Sequence, residues 1–158
     1  MISVTFTLRR NIPMINRKRF YICLAALLAW LAFIFCRSLQ PAAASDVESG
    51  RALDLLTRLF PFPLSMHFVR KAAHFTEFAI LGVLAGLLFS ARSARGWLLP
   101  AAMTGLVAAL CDETIQLFVE GRTGKLQDVW LDAAGVSAGL LFLLAVYCVQ
   151  KKRRQPFS

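Results

Sequence analysis

The chain contains four stretches of apolar residues, each long enough to cross the hydrocarbon core of a bilayer as a helix. The first is a charge-free run at 20–36, and the others are predicted at 69–91, 97–118 and 129–149. A bilayer core of about 30 Å requires about 20 helical residues, within a range of about 17–25. With 58% hydrophobic residues and a mean hydropathy of +0.60, the composition excludes an ordinary soluble domain. We predict an all-α polytopic membrane protein with the lipid bilayer as its partner.

The charged residues predict how these helices are oriented. The segments 1–19, 92–96 and 150–158 together hold eleven Lys and Arg residues and no Asp or Glu. Cytoplasmic loops of membrane proteins carry this excess of basic residues. We therefore expect both basic tails, 1–19 and 150–158, to be cytoplasmic, and the loops 37–68 and 119–128 to face outward. The same distribution explains the net charge of +9, so we predict no nucleic-acid partner.

A cleaved signal peptide is the alternative for the first apolar run, because the residues at 41–45 resemble a small-residue cleavage site. The run is longer than a usual signal core of about 7–15 residues, and Arg37 follows it directly. We favour a retained span at 20–36. The four cysteines lie in or beside apolar runs without metal-ligand spacing, so they indicate no site.

The outer loop 37–68 contains a predicted short amphipathic helix. Ser45 and Glu48 have the spacing of a capping box at its start, and the proline-containing segment 60–63 ends it. Its apolar face consists of Leu53, Leu56 and Phe60. We expect this helix to lie in the outer interface of the bilayer. The helix either only covers the bundle or also contributes to substrate binding, and the sequence favours neither role.

Polar residues within the spans are concentrated at the predicted outer ends. They are Lys71, His74 and Glu77 on the second span, Asp112, Glu113 and Gln116 on the third, and Asp128 and Asp132 on the fourth. An ionisable residue costs about 2.5–3.5 kcal/mol at the centre of an inserted helix, so a group of them at one depth indicates a functional site in the bundle interior. We expect His74, Glu77, Glu113 and Gln116 to converge on one water-accessible pocket. Arg122, in the following loop, would lie near its mouth, and the first span would lie outside the cluster.

Small residues on the second and fourth spans predict close helix packing. Gly135 and Gly139 share a helical stripe with Asp128 and Asp132, and Gly82 lies on the second span. Small residues at this spacing let neighbouring helices approach closely. The two acids of the fourth span should therefore point into the bundle.

Three ordered motifs resemble those of the VanZ-like membrane proteins. They are the segment from Lys71 to Gly82, the segment from Asp112 to Gln116, and Arg122 with Asp128, Asp132, Gly135 and Gly139. The resemblance implies a VanZ-like three-helix core at 69–149 in a protein of the bacterial cell envelope. It also implies a link to antibiotic resistance, because the namesake is associated with low-level teicoplanin resistance. Asp132 stands where many relatives carry Asn.

We expect the polar cluster to engage a lipid-linked or phosphate-bearing envelope component in the outer leaflet of the cytoplasmic membrane. Lys71 and Arg122 would meet anionic groups, while His74, Glu77 and Glu113 would handle protons or bind a metal ion. The alternatives are a membrane-embedded hydrolase or transferase, an ion-coupled transporter, and a non-catalytic scaffold. Because the chain has no nucleophile motif and no HExxH-type metal signature, we predict no cofactor and assign no set of metal ligands.

Overall fold

The computed structural model describes residues 17–59, 63–93 and 96–153, which form five α-helices and no strand. The helices are α1 (Arg17–Ser38), α2 (Ala42–Leu59), α3 (Met66–Arg92), α4 (Leu98–Gln116) and α5 (Leu126–Arg153). All except α2 are long and apolar enough to cross a membrane. The all-α, four-span prediction is therefore confirmed, and the chain is a multi-pass membrane protein. Outside the described residues lie most of the basic tail 1–19, part of 92–96 and of 150–158, and all but the last residue of the proline-containing segment 60–63.

The four long helices alternate in direction, which gives the bundle two chemically different ends. At one end, α1 and α4 terminate while α3 and α5 begin, and Ser38 contacts Asp112 there. We call this the polar end. At the opposite, basic end, Tyr147 contacts Ser90 at 2.8 Å and accepts a hydrogen bond from Arg19.

The closest helix contact in the bundle joins α3 and α5, and glycines make it possible. A Cβ atom added at Gly82 would overlap the Val136 backbone, and one added at Gly139 would overlap the Ala79 carbonyl. Gly135 lies equally close to the backbone of α3. Since no flexible side chain stands between the two backbones, these glycines determine how far apart α3 and α5 lie.

The amphipathic helix is present, but the predicted capping box is wrong. Helix α2 begins at Ala42, and the Ser45 backbone N–H already donates to the Pro41 carbonyl at 3.2 Å. Pro41 and the alanines after it favour helix directly, so the helix starts one turn earlier than expected. Glu48 is then free to bind Arg37 at 2.8 Å instead of capping the helix.

Helix α2 lies against α3 at the polar end, with Ser45 and Ser49 buried. Leu55 and Leu59 remain exposed along α2, as suits a helix in the membrane interface. The core between the polar and basic ends is apolar, and its most buried members include Phe78, Leu81 and Ala85. Polar chemistry is therefore concentrated at the polar end.

Candidate functional site

The centre of the polar end is a cluster of three side chains from three different helices. His74 of α3 places its Nδ1 atom 3.9 Å from Oδ2 of Asp112 on α4 and 3.9 Å from Oδ1 of Asp132 on α5. Both carboxylates are completely buried, whereas His74 is partly exposed. The fold thus brings together one imidazole and two carboxylates that lie far apart in the sequence. We call these three residues the His–Asp cluster.

The two carboxylates of the cluster have different surroundings. The Ser38 hydroxyl donates to Oδ1 of Asp112, and the Gln116 amide donates to Oδ2 at 2.8 Å. Neither oxygen of Asp132 has a hydrogen-bond partner among the described residues. A buried carboxylate without a partner is costly, so Asp132 is the least satisfied side chain of the cluster.

Helix α1 takes part in the site, so the expectation that the first span lies outside the cluster is wrong. Arg37 pairs with Glu77 at 2.9 Å and with Glu48 at 2.8 Å, joining α1 to α3 and α2. Ser38, the last residue of α1, contacts Asp112 directly. The charge of Arg37 and the hydroxyl of Ser38 therefore satisfy acids that the sequence placed on other helices.

Glu113 binds a loop backbone instead of lining the predicted pocket. Its Oε2 accepts a hydrogen bond from the Lys125 backbone N–H at 2.8 Å, which ties the end of α4 to the loop before α5. Its Oε1 is buried without a hydrogen-bond partner among the described residues. Glu113 does not line either of the two cavities described next.

A cavity of about 140 Å³ opens beside the His–Asp cluster, and cationic side chains dominate its wall. Its charged and imidazole-bearing residues are His67, Arg70, Lys71, His74, Arg122, Lys125 and Asp128, and Gln116 also lines it. We call this the basic cavity. A much smaller pocket of about 20 Å³ shares His74 and Arg122 with it and reaches Glu77 and Arg37. The structure therefore brings His74, Gln116 and Arg122 to one cavity and Glu77 to the pocket next to it.

Arg122 lies in the wall shared by both cavities. Its Nε donates to the Gln40 carbonyl at 2.9 Å, and one terminal nitrogen donates to the Arg37 carbonyl at 3.2 Å, so the side chain caps the end of α1. Burial lowers the pKa of the Arg122 guanidinium and the nearby charges of Arg70 and Arg37 lower it further, whereas the charges of Asp112 and Glu113 only partly offset this. These are the surroundings of a cation that lacks sufficient compensating negative charge.

Two of the remaining predicted site residues form an ion pair with each other. Lys71 binds Asp128, linking the second turn of α3 to the first turn of α5 in the wall of the basic cavity. This pair both lines the cavity and holds two helices together. Its charges largely cancel, so it contributes less to the potential of the cavity than Arg122 does.

Sequence reasoning missed four residues of the polar end, namely Arg37, Ser38, His67 and Arg70. Arg70 lies four residues before His74, a spacing that places both on one helix face, and this signal was available. His67 has no periodic polar partner in the sequence, yet it lines the basic cavity. Arg37 directly follows the first apolar run and so lies at the predicted outer depth, but only the packing of α1 brings it and Ser38 to the acids.

Comparisons with known proteins agree with the resemblance seen in the motifs. No curated protein and no solved structure matches the chain significantly. A family model described as VanZ/LLP1 matches residues 23–147. This match begins within α1 and includes α2, so it extends beyond the three motif helices. The chain belongs to the VanZ/LLP1 family.

Proposed function

We propose that this membrane protein binds an anionic, phosphate-bearing component of the bacterial cell envelope in the basic cavity. The observation that carries the proposal is the charge of the cavity wall. Four cations line it, Arg70, Lys71, Arg122 and Lys125, against the single carboxylate of Asp128. A cavity lined mainly by one sign of charge concentrates ligands of the opposite sign.

Two of these four cations form ion pairs within the protein, and the other two do not. Lys71 is paired with Asp128, and Arg70 is paired with Asp46 of α2. Among the residues that the structure describes, no carboxylate forms an ion pair with Arg122 or Lys125. A phosphate group carries about 1.5 to 2 negative charges at pH 7, which matches the charge left over.

Arg122 also offers suitable hydrogen-bond donors. A guanidinium has five N–H donors, and the Arg37 and Gln40 carbonyls accept only two hydrogen bonds from it. The remaining donors have no partner in the described part of the chain. Arginine binds phosphate oxygens with paired, charge-assisted hydrogen bonds, so these donors suit a phosphate better than a lysine would.

The position of the cavity favours a lipid-linked ligand over a free one. The basic cavity lies where four membrane-spanning helices begin or end, which is the level of the lipid headgroups. Helix α2, whose Ala42 and Ser45 line the cavity, exposes Leu55 and Leu59 about three and four turns further along. By the distribution of basic residues, we assign this end to the outer face of the cytoplasmic membrane, with both termini inside.

Two features support binding over the alternative functions. The core below Glu77 is apolar, so the described residues offer no polar pathway for an ion-coupled transporter. A purely structural network would account for the Lys71–Asp128 and Arg37–Glu77 pairs but not for unpaired cations in a cavity wall. A hydrolase or transferase would use the same cavity, and the experiment below does not depend on turnover.

Binding of a polyprenyl phosphate tests the proposal. The purified protein in phosphatidylcholine nanodiscs would be titrated with the phosphate, with inorganic phosphate, and with the uncharged polyprenol of the same length. We expect the polyprenyl phosphate to bind at least about tenfold more tightly than either of the others, because it alone combines charge with the membrane anchor. Arg122→Gln should weaken its binding about tenfold or more, since hydrogen bonds to a charged group are worth about 1.5–3 kcal/mol.

Arg58→Gln is the matched control, because Arg58 is an exposed cation of α2 that does not line the basic cavity. It should leave binding unchanged. Equal affinity for polyprenol and polyprenyl phosphate, or equal loss in the two arginine variants, would contradict the proposal. Preference for inorganic phosphate would retain an anion site but reject the lipid-linked ligand.

A further inference from the structure

We propose that the His–Asp cluster binds a divalent transition-metal cation beside the basic cavity, whose wall includes His74. The ligands are His74, Asp112 and Asp132, contributed by α3, α4 and α5. This set differs from the residues that the sequence suggested for protons or metal, because Glu77 pairs with Arg37 and Glu113 binds the Lys125 backbone through Oε2. The site goes beyond the binding of a phosphate-bearing ligand and does not require it.

The geometry of the cluster suits a metal ion. One ligand atom from each residue lies within 4.8 Å of the other two, and two of the separations from His74 Nδ1 are 3.9 Å. Ligand atoms bound to one ion at about 2.0–2.2 Å lie roughly 3 to 4.4 Å from each other. Small side-chain rotations would therefore bring all three ligands onto one ion, with no movement of the helices.

Asp132 supplies an independent indication that a cation belongs there. Its side chain is 0% exposed, and both of its oxygens lack a hydrogen-bond partner among the described residues. The His74 nitrogen at 3.9 Å is too distant for a hydrogen bond. A metal ion would satisfy these oxygens where no described side chain does.

The charge of the cluster also matches a dication. Asp112 and Asp132 form no ion pair with Lys or Arg in the described part of the chain, since Lys71 and Arg37 are paired with Asp128 and Glu77. Two carboxylates and a neutral imidazole therefore balance a charge of +2. Mixed oxygen and imidazole ligands suit Mn²⁺, Fe²⁺ and Zn²⁺ better than Ca²⁺.

Neighbouring residues hold the ligands in place and provide access. Ser38 and Gln116 hydrogen-bond Asp112 and orient its carboxylate, as outer-shell partners do in metal sites. His74 and Gln116 line the basic cavity, so an ion can enter from the polar end. A phosphate group held by Arg122 would occupy the cavity that His74 also lines, and its negative charge would favour binding of the ion.

The test uses the full-length protein, stripped with EDTA and titrated with Mn²⁺ or Zn²⁺ in the absence of any phosphate compound. We expect one ion per chain, with a Mn²⁺ electron paramagnetic resonance signal that shows coupling to an imidazole nitrogen. Asp132→Asn and His74→Gln should each weaken binding by more than about 100-fold, because loss of an outer-shell partner alone costs about 10–100-fold. The nitrogen coupling should disappear in His74→Gln.

Glu113→Gln is the matched control, since it removes a buried carboxylate next to Asp112 that is not a proposed ligand. It should retain metal binding. Helicity and elution of each variant as a monodisperse species would exclude misfolding as the cause of any loss. The absence of one-to-one binding in the parent protein, or of the nitrogen coupling, would overturn the site, as would equal losses in Glu113→Gln and Asp132→Asn.

The outcomes separate this inference from the proposed function. Metal binding without preference for polyprenyl phosphate would retain the His–Asp cluster as a metal site and reject the phosphate-bearing ligand. Polyprenyl phosphate binding without metal binding would retain the phosphate-bearing ligand and reject the metal site.

Discussion

Replacing Gly135 with Ala should loosen the contact between α3 and α5, and the structure gives the size of the effect. An added Cβ atom would lie 2.5 Å from the Phe75 carbonyl oxygen, whereas real Cβ contacts essentially never fall below 3.0 Å. The obstacle is backbone, so no side-chain rotation relieves it. Restoring an ordinary contact of 3.4 Å requires α3 and α5 to separate locally by about 0.9 Å.

Two opposing terms determine the change in the free energy of unfolding. Overpacking of this kind typically costs about 1–3 kcal/mol. Alanine in a helix interior gains about 0.5–1 kcal/mol over glycine. The steric term is larger, so we expect a net loss of about 1–2 kcal/mol for Gly135→Ala, and at least as much for Gly139→Ala.

Gly50 of α2 provides the matched control. A Cβ atom there would meet only the methyl end of the Met66 side chain, at 3.9 Å. Gly50→Ala should therefore cause no loss of stability, and it should gain up to about 1 kcal/mol if unfolding of α2 is observed. Reversible unfolding by dodecyl sulfate in mixed micelles would measure all three variants. If Gly135→Ala proved as stable as Gly50→Ala, the close backbone contact of α3 and α5 would be refuted.

Three further predictions concern other parts of the bundle. Trp30→Phe should cost about 0.5–1.5 kcal/mol, because the Trp30 indole N–H donates to the Glu77 carbonyl at 2.9 Å. Trp130→Phe should cost almost nothing in the same unfolding assay, since Trp130 is 72% exposed, and equal losses would contradict a specific role for the Trp30 bond. Removal of Arg37 by Arg37→Gln should cost about 1–3 kcal/mol, because it leaves the mostly buried Glu77 carboxylate, which is 13% exposed, without its partner. Glu77→Gln in that background should recover part of this loss, and additive losses would argue against the pair. A fluorescent protein fused to the C-terminus should be bright and alkaline phosphatase fused there inactive, whereas active phosphatase would reverse the proposed orientation.

The sequence predicts the features of this protein that depend on position along a helix. The length of each apolar run defined the four spans to within a few residues, because bilayer thickness sets helix length. The 3.6-residue period placed Asp132 and Gly135 on the same inward stripe, as the structure shows. The common depth of the polar residues followed from their distance in residues from the outer end of each span, because antiparallel helices bring these ends together.

The sequence could not predict features that depend on how the helices rotate and pack. Asp112 and Glu113 are adjacent, and only rotation of α4 decides that Asp112 joins the His–Asp cluster while Glu113 binds the Lys125 backbone. Likewise, only the docking of α1 brings Arg37 to Glu77. These contacts join residues far apart in sequence, and no periodic pattern of the sequence predicts them.

The α3–α5 contact links the stability of the bundle to the geometry of its polar end. Gly135 lies against the Phe75 carbonyl, one residue after His74, and Asp132 lies one turn before Gly135 along α5. The distance between the His74 and Asp132 backbones is therefore set by a glycine contact that itself carries no chemistry. A separation of about 0.9 Å at Gly135 would lengthen the 3.9 Å distance between His74 and Asp132 by a comparable amount. A residue larger than Gly135 that still allowed folding would move the His74 imidazole away from the Asp132 carboxylate. The small residue at this position therefore maintains the geometry of the polar end as well as the packing of α3 against α5.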